Sequence, residues 1–137
     1  MKKIIMCFAL VSLLVVGIIP KEVNAAGNDV PLTPLQSGDY TATGRSSISC
    51  HSASSSTRCM DTSTNLYVYG SYWYAENALS SGEVVSVNLT ESRSSHLDAT
   101  VSFSNGANDQ SIKISGTHSF TNGSSNASGN TSVHYGN

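Results

Sequence analysis

Apolar and polar positions alternate in twos along much of this chain. The clearest stretch is HLDATVSF, where Leu97, Ala99, Val101 and Phe103 take one parity and His96, Asp98, Thr100 and Ser102 the other. Successive side chains of a strand point to opposite faces, so the pattern predicts a half-buried antiparallel strand. After turn material at SNGAND (104–109), QSIKISGTHSF sets Ile112, Ile114 and Phe120 against Lys113, Ser115 and Thr117. GEVVSVNL puts Val85, Val87 and Leu89 on one face, with Val84 out of step, and TSVHY gives Val133 and Tyr135 to a last strand. TNGSSNASGN, before that strand, reads as a polar loop. Near the start, YTATGRSSISC offers Ala42, Ile48 and Cys50 as an inner face. No segment sustains helical spacing. About six strands separated by Gly, Asn and Ser turns predict an all-β fold, a small antiparallel β-sandwich or partly open barrel.

One strand departs from simple alternation. NLYVYGSYWYAEN (65–77) carries Tyr67, Tyr69 and Trp73 on one parity, and Leu66, Val68, Tyr72 and Tyr74 on the other. A half-buried strand needs apolar material on one face only. The even positions hold the aliphatics and are expected to line the core. The odd positions are then either covered by a loop or exposed as a stacking platform, since flat rings with a polar edge suit sugar faces and protein surfaces. Tyr67, Tyr69 and Trp73 are therefore the candidate ligand-binding residues.

The first 25 residues change the frame. Lys2 and Lys3 precede an apolar stretch, Ile4–Pro20, and VNA presents Ala25 before Ala26. This is the three-part pattern of a secretory signal peptide cleaved after Ala25, in the style of a Gram-positive-type bacterium. The expected product is secreted and extracellular. Residues 26–38, AGNDVPLTPLQSG, hold two prolines and little pattern and read as a flexible N-terminal arm. Residues 39–137 then form a single domain. Cys50 and Cys59 remain after cleavage, and in an oxidising compartment the pair predicts a disulfide closing the loop HSASSSTR. Such a bridge would stabilise by about 2–3 kcal/mol.

Composition narrows the functions. From Ala26 onward Ser and Thr supply 36 of 112 residues, and Leu, Ile, Val and Phe only 18, so the core is thin. Four basic residues (Arg45, Arg58, Arg93, Lys113) face eight acidic ones, which argues against nucleic acid and against anionic membrane surfaces as partners. His51, His96, His118 and His134 show no metal-binding spacing, and alternation sends His118 and His134 to opposite faces. Ser95, His96 and Asp98 contain the residue types of a hydrolytic triad without a nucleophile elbow or oxyanion signature. Glu76, Glu83 and Glu91 have no partner carboxylate in sequence. Asn88, Asn122, Asn126 and Asn130 head N-x-S/T tripeptides, which mark the 122–130 region as surface.

The leader, the β pattern, the fragment HLDATV and a closing strand with a tyrosine loosely resemble lactococcin-like secreted bacteriocins over a limited part of the chain. The cysteine pair and the longer N-terminal part depart from that pattern, and no functional residue carries over. The expectation is a secreted, non-enzymatic interaction module without metal or cofactor, binding an extracellular glycan or protein surface through the aromatic strand. A bacteriocin-like antagonist of competitor envelopes and an extracellular structural protein are the alternatives.

Overall fold

A computed structural model describes residues 26–32, 42–60, 64–123 and 125–136. They form eight strands: β1 Ala26–Leu32, β2 Ala42–Ile48, β3 Ser52–Cys59, β4 Asn65–Glu76, β5 Val85–Ser95, β6 Asp98–Ser104, β7 Gln110–Asn122 and β8 Ser125–His134. All pairings are antiparallel, and there is no helix among the described residues. One sheet has the order β1-β2-β3-β6 and the other β5-β4-β7-β8.

Both sheets contribute to one core. Ala42, Ile48, Ala53, Ala99, Val101 and Phe103 come from the first, and Leu66, Val68, Tyr72, Ile114, Phe120 and Val133 from the second. Gly70 leaves the gap that Val101 and Phe103 fill, because a Cβ there would lie 2.6 Å from Val101 Cγ2. The even face of β4 is therefore the core face, as its aliphatics require. Tyr72 is fully buried and stacks on Phe103 with ring centroids 5.6 Å apart. Its hydroxyl lies 2.6 Å from Ser111 Oγ and accepts from Asn105 Nδ2 at 2.9 Å.

The rest of the core is polar. His118, Ser46, Ser55, Thr57 and Thr131 are buried between the sheets. Thr57 Oγ1 donates its one proton to the Tyr67 carbonyl (2.9 Å), so His118 Nδ1, 3.0 Å away, must donate to Thr57. A neutral ring then accepts at Nε2 from Thr131 Oγ1 (2.8 Å), which accepts from Ser46 Oγ (2.5 Å), which accepts from Ser55 Oγ (2.9 Å). The chain of hydroxyls runs in one direction and satisfies every member. Burial holds the His118 pKa below its ordinary value, and a backbone hydrogen bond with Ser56 partly offsets this.

Several sequence expectations are corrected here. All of HSASSSTR but His51 belongs to strand β3 rather than to a bridged loop. The eight extended residues of β3 put Cys59 about 23 Å from Ser52, which follows Cys50 by two residues, far beyond the ~7 Å Cα separation a disulfide tolerates. Cys50 and Cys59 are accordingly free thiols. Residues 26–32, expected as part of an arm, pair with β2 as an edge strand; residues 1–25, read as a signal peptide, and residues 33–38 lie outside the described residues. TNGSSNASGN is not a loop but the tip of a long hairpin, turning at Gly123 with φ 57°. The inner-parity positions of β5, expected to be buried, stay open: Val85 and Leu89 remain exposed and Val87 is half-buried. Ile112 is exposed as well, because a register shift between Trp73 and Tyr74 throws the inner parity of β7 out by one residue.

Candidate functional site

The site is the outward face of the β5-β4-β7-β8 sheet. Odd-numbered β4 residues point away from the core, so Tyr67, Tyr69 and Trp73 emerge in one column. They are 38%, 39% and 43% exposed, high for rings flanked by strands on both sides. The two tyrosines stand about 7 Å apart and Trp73 about 13 Å further along, so the column spans about 20 Å. Ser71 occupies the gap.

Each ring has hydroxyl or amide neighbours across the strands. Tyr67 pairs with Ser94 and Ser119, and Tyr69 with Ser92 and Thr117. Trp73 sits between Asn88 and Lys113, and Lys113 pairs in turn with His134. Directly paired residues hold their Cβ atoms about 5 Å apart, which sets Lys113 beside Trp73 on the same face. The Asn88 side-chain amide is fixed by bonds to Ser71 Oγ (2.9 Å) and the Tyr72 carbonyl (3.1 Å). The result is a flat strip with an aromatic spine and polar margins.

Two hollows among the described residues lie elsewhere. One of about 260 Å³ sits at the Ser47–Ser54 end of the other sheet, and a second lies around Arg58, Met60 and Leu97. A flat aromatic strip is suited to an extended ligand with flat faces, not to a small molecule that needs enclosure.

The remaining candidates do not converge. Ser95 Oγ accepts from the amides of Leu97 and Asp98 in the β5–β6 turn. His96 Nδ1 donates to the Thr64 carbonyl at 3.0 Å, and Asp98 pairs with Arg58 at 2.7 Å. The three residues thus face separate partners. His118 and His134 fall on opposite faces of their sheet, as alternation required. No group of three His, Cys, Asp or Glu side chains among the described residues could hold a metal ion. The buried His118 chain went unseen in the sequence; Gly44 and Gly116, whose Cβ positions would fall 2.4 and 2.6 Å from ring atoms, were its only local trace.

No protein-family model, curated protein or solved structure matches the chain.

Proposed function

We propose that this chain is a secreted, non-enzymatic β-sandwich module that binds a glycan along the Tyr67–Tyr69–Trp73 strip. The observation carrying the proposal is the exposure of three rings in one column on a sheet whose other outward side chains are mostly small hydroxyls. Three rings on one strand exceed what an outer face needs for folding, since the core is filled from the other side. Sugar rings present flat C–H faces bordered by hydroxyls. An aromatic spine with Ser, Thr and Asn margins is complementary to both features.

The test is binding to a glycan array by the wild type and by Tyr69→Ala and Trp73→Ala, with urea unfolding of each variant. Truncating a ring at the centre of an interface removes more than ~1 kcal/mol of binding, and up to several. Loss of glycan binding with retained stability supports the proposal; unchanged binding in both variants overturns it.

A second reading draws on a different observation. The eleven residues of β5 form an open sheet edge and none of them is buried. Such an edge is a template for strand addition between molecules, as in an extracellular structural protein. Mass measured by light scattering across a concentration series decides between assembly and a monomer.

A further inference from the structure

The charge on the aromatic face differs from that of the rest of the molecule. Beyond the leader the chain carries eight carboxylates against four basic side chains. Yet the outward positions of β4, β5, β7 and β8 include no Asp or Glu. Glu91 and Glu76 lie on these strands but take the opposite parity, and Asp98 belongs to the other sheet. The one lysine outside the leader, Lys113, stands on this face between Trp73 and His134. Among the described residues, carboxylates are thus absent from the outward strand positions of the face that holds the rings, with Asp109 and Glu83 kept to the turns beyond its Trp73 end, and a cation stands on the strand beside the most exposed ring.

Resting on the glycan reading above, we infer that the ligand is an extended polysaccharide bearing sparse carboxylates, uronate-type sugars among neutral ones. A sugar ring stacks on Trp73 while its carboxylate meets the Lys113 ammonium, and neutral rings lie over Tyr69 and Tyr67. The length of the strip favours a polymer, because about 20 Å exceeds what a single sugar covers. Charge density sets the class. One lysine over that length suits a chain with a carboxylate on no more than every second sugar, whereas a densely sulfated chain would bring several anions per sugar pair onto a face with a single ammonium. The lack of carboxylates along the outward strand positions keeps the repulsion of this acidic surface off the strip itself and confines it to the bordering turns.

Trp73 is the sole tryptophan, so its fluorescence reports this site alone. The experiment titrates the protein with hyaluronate, with carboxyl-reduced hyaluronate and with dextran sulfate, at low and at physiological salt. Hyaluronate is expected to bind about three- to fivefold more tightly than its reduced form, the worth of one exposed ion pair, with the gap narrowing as salt rises. Lys113→Met should bring hyaluronate to the level of the reduced polymer and leave the latter unchanged. Lys113→Arg should restore the difference. Tyr69→Ala should weaken both polymers alike. Equal binding of the charged and reduced polymers, with Tyr69→Ala weakening both, would overturn the carboxylate inference and leave the glycan reading standing. Tightest binding to dextran sulfate would overturn it too. If no polymer changes Trp73 fluorescence, both proposals fall.

Discussion

Acidification should destabilise this protein through one side chain, and the effect can be isolated. His118 is fully buried, its Nδ1 proton is given to Thr57, and its Nε2 accepts from Thr131. Adding a proton at Nε2 sets two hydrogens against each other unless the Thr131 hydroxyl turns, and that disrupts the Ser46–Ser55 chain behind it. Burial also disfavours the imidazolium, so the native pKa lies below the ordinary value. In the unfolded chain a histidine titrates near 6.5. The native form therefore binds fewer protons than the unfolded form as pH falls below about 6.5, and stability declines with falling pH. The slope reaches at most about 1.4 kcal/mol per pH unit and levels off once pH passes below the native pKa. Between pH 6.5 and 5.0 the ceiling is therefore about 2 kcal/mol, a large part of the margin of a small domain. Other groups titrate over the same range, so the informative quantity is the difference between wild type and His118→Gln. Glutamine fills part of the site and cannot be protonated in this window. Urea unfolding of both proteins from pH 7.5 to 5.0 should show wild type ahead by about 1–3 kcal/mol at the neutral end, with the lead shrinking as pH falls. A lead that stays constant over the range would refute the neutral, buried imidazole.

Other consequences can be checked with the same unfolding assay. Gly70→Ala forces a methyl against Val101 and Phe103 and should destabilise by about 1–3 kcal/mol, visible as a lowered urea midpoint. Tyr72→Phe deletes a hydroxyl bonded to Ser111 and Asn105 and should lower stability by about 1–2 kcal/mol while near-UV circular dichroism stays native. Since β3 holds Cys50 and Cys59 apart, a reducing agent should leave the midpoint unmoved, and a thiol reagent in denaturant should count both; a midpoint that falls on reduction would contradict the free thiols. Trp73→Ala, on the open face, should shift stability by no more than about 0.5 kcal/mol, which separates its role from that of buried Tyr72.

The aliphatic half of the fold was legible because burial there follows hydrophobicity. Ala99, Val101 and Phe103 on β6, and Leu66, Val68 and Tyr72 on β4, take the faces their alternation demanded. β3 was invisible for the opposite reason. Its inner positions are Ala53, Ser55, Thr57 and Cys59, and two of those four are hydroxyls whose partners lie on β2 and β7. A period-two search for apolar residues cannot register a buried hydroxyl satisfied by a distant histidine. The same limit turned the start of β8 into an apparent loop, since Ser125–Asn130 holds only Ala127 as an apolar residue. β5 failed in the other direction: Val85, Val87 and Leu89 alternate correctly, but the strand lies at a sheet edge where that face stays open. Of the candidate site, sequence gave the parity of Tyr67, Tyr69 and Trp73. Their exposure depended on whether a loop covered them, and the pairing of Lys113 with Trp73 depended on a register that only the assembled sheet defines.

The central claim is that the odd face of β4 binds sugar, and backbone amide shift mapping by NMR tests it most directly. On titration with the tightest-binding glycan, shift changes should concentrate at Tyr67, Tyr69, Ser71 and Trp73 and at their cross-strand partners Asn88, Lys113 and Thr117. Changes centred instead on the outward face of the other sheet, around Arg45, Ser54 and Ser102, would contradict it.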